Sequence, residues 1–319
     1  MKIPIRNRET FKFVKQQYMG DFLKTASGLI PHSVADIYPN RIQNIFGIPG
    51  VIFRDHRWTL PIIYLCGKNG LASLPICLIT FDRHHDALIP KCGVEKLSEF
   101  NVNLGTFEEL VDLVKYDLSP RDDDWIISGM ELGLISHVIQ FCSNIGYEDH
   151  DSPYSEYDDS SGTAHRFYKL GRLKKELSYK GVLTDKDHQA VKSGLWNTLG
   201  WDPAVCEISG DMPNLIVDID CDYFTFFWDT YVLPFTEEIF EGEFKYPCQS
   251  SFYSTYEPVR FIRSILRRAS VLTLVTEPDF CGGKEKCEAI VSNINNFIFD
   301  GNLDFGAIDV DYLPKYPNE

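Results

Sequence analysis

The sequence predicts an α/β protein, a three-layer α/β/α sandwich around a mainly parallel sheet. Short apolar runs alternate with helical patterns along the 319 residues, and strands separated by helices pair in parallel because parallel neighbours need a long crossover. The best run, Leu74 to Phe81, reads as a strand buried on both faces. Two of the runs end in acidic residues, at the carboxyl ends where open α/β sheets keep their sites.

In chain order, Gly50 to Phe53 is the first expected strand and Leu74 to Phe81 the second. Thr106 with Glu109 forms a capping box that starts a helix running to Val114. Trp125 to Ser128 is expected as a strand, and Met130 to Phe141 as an apolar helix rich in small residues. Residues 147 to 162 are acidic, dotted with tyrosine and poor in aliphatics. They are expected to form an exposed loop, with a lid or docking rim for a cationic peptide as the sharper reading. Strands follow at Asn214 to Asp220, Val271 to Thr276 and Phe305 to Asp311, with an amphipathic basic helix at Val259 to Ala269. No repeat or long linker divides the chain, so residues 1–319 are expected to form a single catalytic domain.

Composition narrows the function. A chain of this length that is 44% hydrophobic can bury a large core. No stretch reaches the ~18 apolar residues of a membrane span, and Lys2, Arg6, Arg8 and Glu9 interrupt any signal-peptide core. The expectation is a cytoplasmic protein with no membrane partner. A formal charge of −15 repels nucleic acid and favours a cationic ligand such as an arginine-rich peptide. Nine cysteines without a Cys-x-x-Cys pair are expected as reduced core residues. A homo-oligomer is compatible with all of this.

The chemistry sits in Phe81-Asp82-Arg83-His84-His85-Asp86 and Val217-Asp218-Ile219-Asp220-Cys221-Asp222. Asp82, His84 and Asp86 recur with period two, as do Asp218, Asp220 and Asp222, so each set is expected on one face. So many like charges repel unless a cation sits among them. Oxygens with a minority of imidazoles, and Cys221 turned to the opposite face, suit a hard or borderline ion such as Mn2+. The surplus of oxygens suits two ions sharing bridging carboxylates, an arrangement that ionises water at neutral pH. A strand-end Asp is also a common helix cap, and Asp218 and Asp220 alone read equally well as structural. His85 alternates to the other face, in support, and His165 offers a proton shuttle. Glu277, directly after the Val271–Thr276 strand, can pair with a guanidinium through two hydrogen bonds.

These motifs resemble the ureohydrolases (arginase, agmatinase): Asp82-x-His84-x-Asp86 is similar to their Asp-x-His-x-Asp signature, and Asp218-Ile219-Asp220 to their second metal motif. The closer resemblance is to the peptide arginases of ribosomal-peptide biosynthesis. There, Arg54-Asp55-His56-Arg57-Trp58, the Phe81–Asp86 segment, Asp124-Trp125-Ile126 to Gly133-Leu134-Ile135, and Asp218-Ile219-Asp220-Cys221-Asp222-Tyr223-Phe224 occur in this order. The resemblance implies an arginase/deacetylase-like fold with two Mn2+ per chain. It implies His56 and Asp86 on the first ion, His84 and Asp220 on the second, and Asp82 and Asp218 as bridges. In the alternative register, Asp220 and Asp222 form the pair and Asp218 supports them.

The implied activity converts arginine side chains of a ribosomally made precursor peptide to ornithine with release of urea. Asp86 would relay a proton to the departing amine, and Glu277 would hold the guanidinium. Ala87-Leu88-Ile89-Pro90 stands where ordinary arginases carry an Asn/Ser loop for the α-carboxylate, which favours a peptide over the free amino acid. The alternatives are a zinc-dependent, deacetylase-like amide hydrolase on the same fold and a non-catalytic, metal-containing peptide-binding protein.

Overall fold

Eight strands share one sheet: β1 (Ile37–Ile45), β2 (Ile48–Phe53), β3 (Ile76–Asp82), β4 (Ile135–Cys142), β5 (Tyr154–Asp158), β6 (Ala164–Leu170), β7 (Leu215–Asp220) and β8 (Val271–Val275). The computed structural model describes residues 37–84, 86–142, 154–174, 201–202, 207–208, 214–228, 231–246, 248–249 and 255–303. The expected strand at Phe305 to Asp311 lies outside them. The spatial order is β1-β2-β8-β7-β3-β4-β6-β5. All inner neighbours pair in parallel, and only the edge strands β1 and β5 are antiparallel. The α/β class and the mainly parallel sheet are as the sequence predicts.

Period-two alternation gives each inner strand two apolar faces, and each face has its own core. On one side Val51, Leu78, Val138 and Ile216 pack with helices α1 (Thr59–Lys68), α2 (Phe107–Tyr116) and α3 (Trp125–Glu131) through Leu60, Leu110 and Ile126. On the other, Ile79, Phe81, Val217, Ile219 and Leu274 pack with α4 (Pro258–Leu266) and α5 (Lys284–Phe297) through Phe261, Ile265, Ile290 and Ile294. Each such side chain contributes roughly 1.5–3 kcal/mol of burial. The result is three layers, helices on sheet on helices.

Three expectations are corrected. Trp125 to Ser128 is the start of helix α3, not a strand. A short apolar run cannot be assigned by periodicity; here the Asp124 carbonyl accepts from the Ser128 N–H and hydroxyl, and Gly133, at φ +68°, ends the helix. Met130 to Phe141, expected as a helix, instead contributes strand β4, which pairs with both β3 and β6. Apolar residues crowd that segment because Val138 faces one core while Ile139 and Phe141 face the other. Gly129 is the small residue that matters: a Cβ there would stand 2.5 Å from Ile135 Cδ1 and 2.8 Å from Leu60 Cδ2, so its absence lets α3 close on α1 and β4.

The acidic 147–162 stretch is not all loop either. Tyr154–Asp158 pairs with β6 as an edge strand, and the following turn is tied by Asp159 Oδ1, which accepts from the Ser161 and Thr163 N–H groups. Residues 147 to 153 lie outside the described residues. Cys66, Cys77, Cys92, Cys142, Cys221, Cys281 and Cys287 are free thiols, as expected. No helix among the described residues is long and apolar enough to cross a membrane.

The capping box stands as the sequence reads: Thr106 Oγ1 accepts from the Glu109 N–H, and Glu109 Oε2 accepts from the Thr106 N–H. Thr106→Ala removes the side-chain acceptor of the Glu109 N–H and breaks the reciprocal box. It is expected to cost about 1 kcal/mol, read as a lower urea midpoint at unchanged m value. An unchanged midpoint would remove the box from the determinants of this helix.

Candidate metal centre

Four neighbouring parallel strands, β2, β8, β7 and β3, end side by side and deliver every member of the site from their carboxyl ends. After β2, residues His56–Trp58 make one 3-10 turn that leads into α1 and buries His56 completely. β3 ends on Asp82, β7 on Asp220, and Glu277 follows β8 by two residues. Ligand atoms within 4.8 Å of one another form three groups among the described residues: His56, Asp82 and Asp86; His56, Asp220 and Glu277; and Asp82, His84 and Asp222.

Each motif folds the same way. Asp82 Oδ1 accepts from the His84 N–H at 2.6 Å, and Asp220 Oδ1 accepts from the Asp222 N–H at 3.0 Å. One oxygen of each carboxylate thus fixes the bend that follows its strand, the habit of Asp in tight turns. The other oxygen, Oδ2, is buried and has no hydrogen-bond partner in either residue. The expected single face per motif is therefore replaced by a fan: beyond Asp82, His84 turns towards Asp222 and Asp86 turns towards His56. Asp222 lies in the 3-10 turn Cys221–Phe224, and Cys221 points into the opposite core.

His56 is clamped from behind. Its Nε2–H donates to Asp218 Oδ2 at 2.6 Å. Strand register sets Thr80 and Thr273 level with Asp218 on either side. Their hydroxyls donate to Asp218 at 2.8 and 2.5 Å, and Thr59 Oγ1 adds a longer contact at 3.4 Å. Asp218 is thus fully engaged and belongs to none of the three groups. The free ring atom, His56 Nδ1, faces Asp86 Oδ2 at 2.8 Å and Asp82 Oδ2 and Asp220 Oδ2 at 3.6 Å, buried and without a well-directed hydrogen bond.

The electrostatics follow from this crowding. Burial, then repulsion from Asp86 and Asp222, pushes the Asp82 carboxyl well above its usual range; burial and Asp222 do the same to Asp220, and burial with Asp220 and Asp122 to Glu277. Burial opposes charge on His56, yet the adjoining Asp218 and Asp86 raise it well above an ordinary histidine. Asp122 is pushed up to about 7, chiefly by burial. Buried like charges of this kind cost several kcal/mol each unless paired. A divalent cation between His56 Nδ1 and the orphaned oxygens would satisfy all of them, so the residues fit the Mn2+ expectation in donor type, with oxygens dominating and no thiolate in reach of the groups.

Backbone strain concentrates at the same place. Asp86, Asp122 and Glu277 are non-glycine residues at φ +50°, +58° and +34°, a conformation that costs of order 1–3 kcal/mol each and persists where surroundings over-determine it. Glu277 is held by its own N–H on the Arg54 carbonyl and by Oε1, which accepts from the His56 N–H at 3.1 Å.

The structure gathers His56, Asp82, His84, Asp86, Asp220, Asp222 and Glu277, and sets Asp218 behind them. His165 is not with them. It begins β6, at the opposite end of the parallel strands, where it bonds Asp159 at 3.0 Å and the Ser136 carbonyl at 3.3 Å. That position is a structural tie for the β5–β6 turn and rules out the shuttle expectation. His85 lies outside the described residues. Two participants were missed from sequence. Trp125 donates Nε1–H to Asp86 Oδ2 at 2.9 Å and lays its ring 4.7 Å from that of His56; reading its segment as a strand hid it. Arg83, inside the first motif, contacts Asp222 and His84. Thr80 was legible, since period two from Asp82 puts it on the same face.

No protein-family model matches the chain, and comparison with curated proteins returns no match.

Substitution separates ligands from supports. Asp82→Ala and Asp220→Ala are expected to lose bound metal outright, whereas Asp218→Ala should keep the metal count and weaken affinity by about ten- to a hundred-fold. Elemental analysis with Mn2+ titration decides between them. Loss of an ion per chain in Asp218→Ala would make Asp218 a ligand after all.

Proposed function

We propose that this chain is a metal-dependent amidinohydrolase that converts arginine side chains of a peptide to ornithine with release of urea. One observation carries the reading: Asp82 Oδ2 and Asp220 Oδ2 are buried without a hydrogen-bond partner, each 3.6 Å from His56 Nδ1, which also lies 2.8 Å from Asp86 Oδ2. His56, Asp82, Asp86 and Asp220 would hold one Mn2+, with Glu277 beside it, and Asp82, His84 and Asp222 the second. This is the register in which Asp220 and Asp222 form the second motif and Asp218 supports. Bound there, the ions supply Lewis acidity and lower the pKa of a water so that it is a nucleophile at neutral pH.

The chain's own groups do the rest. Asp86 Oδ2, placed by Trp125 Nε1–H, is the oxygen set to take the water's proton and return it to the departing amine. Glu277 lies within the same cluster and is the carboxylate available to a guanidinium. Water adds across the guanidinium carbon, the C–N bond to the side chain breaks, and the amine leaves with the transferred proton, so arginine plus water gives ornithine plus urea. Leu88 and Ile89, 56% and 79% exposed just beyond Asp86, give that rim apolar contacts in place of donors for an α-carboxylate. This supports a peptidyl arginine over the free amino acid.

Arginine-containing peptides incubated with the Mn2+-loaded protein are expected to lose one cyanamide equivalent of mass per converted residue while urea accumulates. Metal-loaded protein that releases no urea from any such peptide, nor from free arginine, would end the proposal. Glu277→Gln is expected to keep its metal and lose roughly 2 kcal/mol or more of transition-state stabilisation, because an amide cannot neutralise the guanidinium. Parental kcat/KM in that variant would move the guanidinium contact to another acid.

A further inference from the structure

Resting on the reading of a two-ion centre, we propose that Arg83 makes the two metal positions unequal: its guanidinium weakens the position built from Asp82, His84 and Asp222 and leaves the His56 position tight.

Arg83 lies between two of the second position's three ligands in sequence and in space. Its Nη2 is 3.4 Å from Asp222 Oδ2 and 3.2 Å from His84 Nε2, and its own N–H donates to Asp222 Oδ1 at 3.1 Å. The head cannot swing away. Nη1 donates to Thr225 Oγ1 at 2.9 Å, Cζ stacks 4.5 Å from the Phe227 ring centre, and the side chain is 3% exposed. Thr225 is in turn fixed by its hydroxyl on the Asp222 carbonyl at 2.6 Å. A permanent positive charge is therefore built into the second position. It neutralises Asp222 in advance and repels any cation that arrives, through a medium that screens poorly because the groups are buried.

Among the described residues, no arginine or lysine forms an ion pair with Asp82, Asp86, Asp220 or Glu277 at the His56 position. Its ion pairs run to His56 itself, from Asp86, Asp82 and Asp220. Burial differs in the same sense: the His56 side chain is fully enclosed, whereas that of His84 is 38% exposed. Less enclosure means easier hydration of the second ion and easier loss. Arg83 thus places a fixed positive charge at the second position, whereas the acids of the first are met by neutral donors and His56, so the first ion is held tightly and the second is exchangeable.

The test is Mn2+ titration by calorimetry of the full chain, stripped of metal by chelator and then freed of the chelator. Two unequal steps are expected for the parent. In Arg83→Gln and Arg83→Met the second step should tighten on the order of ten-fold while the first moves little, and Arg83→Lys should keep the parental gap. A parent that takes one ion and variants that take two would carry the proposal as well. Arg83→Gln keeps a hydrogen-bonding group near Thr225 and carries the test should the methionine variant not fold, with a thermal melt of the metal-free protein as the check. A second step unchanged in both neutral variants, or both steps shifted alike, would overturn the role of Arg83. A parent that binds no Mn2+ at all would overturn the metal centre itself, which is a different failure.

Discussion

The concentration of buried carboxylates at the ends of four adjacent parallel strands constrains everything else in this molecule. Asp82, Asp86, Asp220, Asp222 and Glu277 are each no more than 6% exposed. A domain holds together by only a few kcal/mol net, and several unpaired buried charges are enough to exceed that. The surrounding structure manages the problem in two ways. Asp218 and Asp222 are compensated within the chain, the former by His56 and threonine hydroxyls, the latter by Arg83 and His84. Oδ2 of Asp82, Asp220 and Asp222 makes no hydrogen bond among the described residues, but only that of Asp222 lies within reach of an arginine. The acids without a nearby guanidinium lie nearest His56, an arrangement that would suit a cation.

His56 couples the two regimes. One nitrogen ends in a closed hydrogen-bond network and the other in the open acidic cluster, so the tautomer and the ring plane are set from the side away from the centre. Trp125 fixes the ring from a third direction and donates its indole N–H to Asp86. The polar groups at the centre are thereby held by groups behind them, which fixes their geometry in advance.

The opposite face of the sheet shows why the site can sit so close to an apolar core. Cys221, between Asp220 and Asp222, points into that core beside Cys281 and Cys287. Burial, followed by the neighbouring Cys287 thiol, raises the Cys221 and Cys281 thiols well above their ordinary values, so they stay protonated and unreactive. Cys281 and Cys287 both donate to the Thr276 carbonyl, one residue before Glu277. These small residues pack the back of the strand ends and hold the chain at Glu277 in its left-handed conformation.

The sequence by itself determined the layers and placed most of the clustered acids at strand ends, but not Trp125 or Arg83 among their contacts. Apolar runs bounded by helical patterns specify β2, β3, β7 and β8, and the acids that follow them are legible at the strand ends, although the bends beyond Asp82 and Asp220 fan them in different directions. What it left open turns on contacts between segments far apart in the chain. Trp125 to Phe141 is predominantly apolar, and packing of Gly129 against Leu60 and Ile135 belongs to the tertiary contacts that separate its helix from its strand. The surroundings of Asp218 and Asp220 were equally undecided, since the two are alike in one dimension. Register places Thr80 and Thr273 beside Asp218 and nothing of the kind beside Asp220 Oδ2. How many donors reach a carboxylate is set only once the strands are side by side.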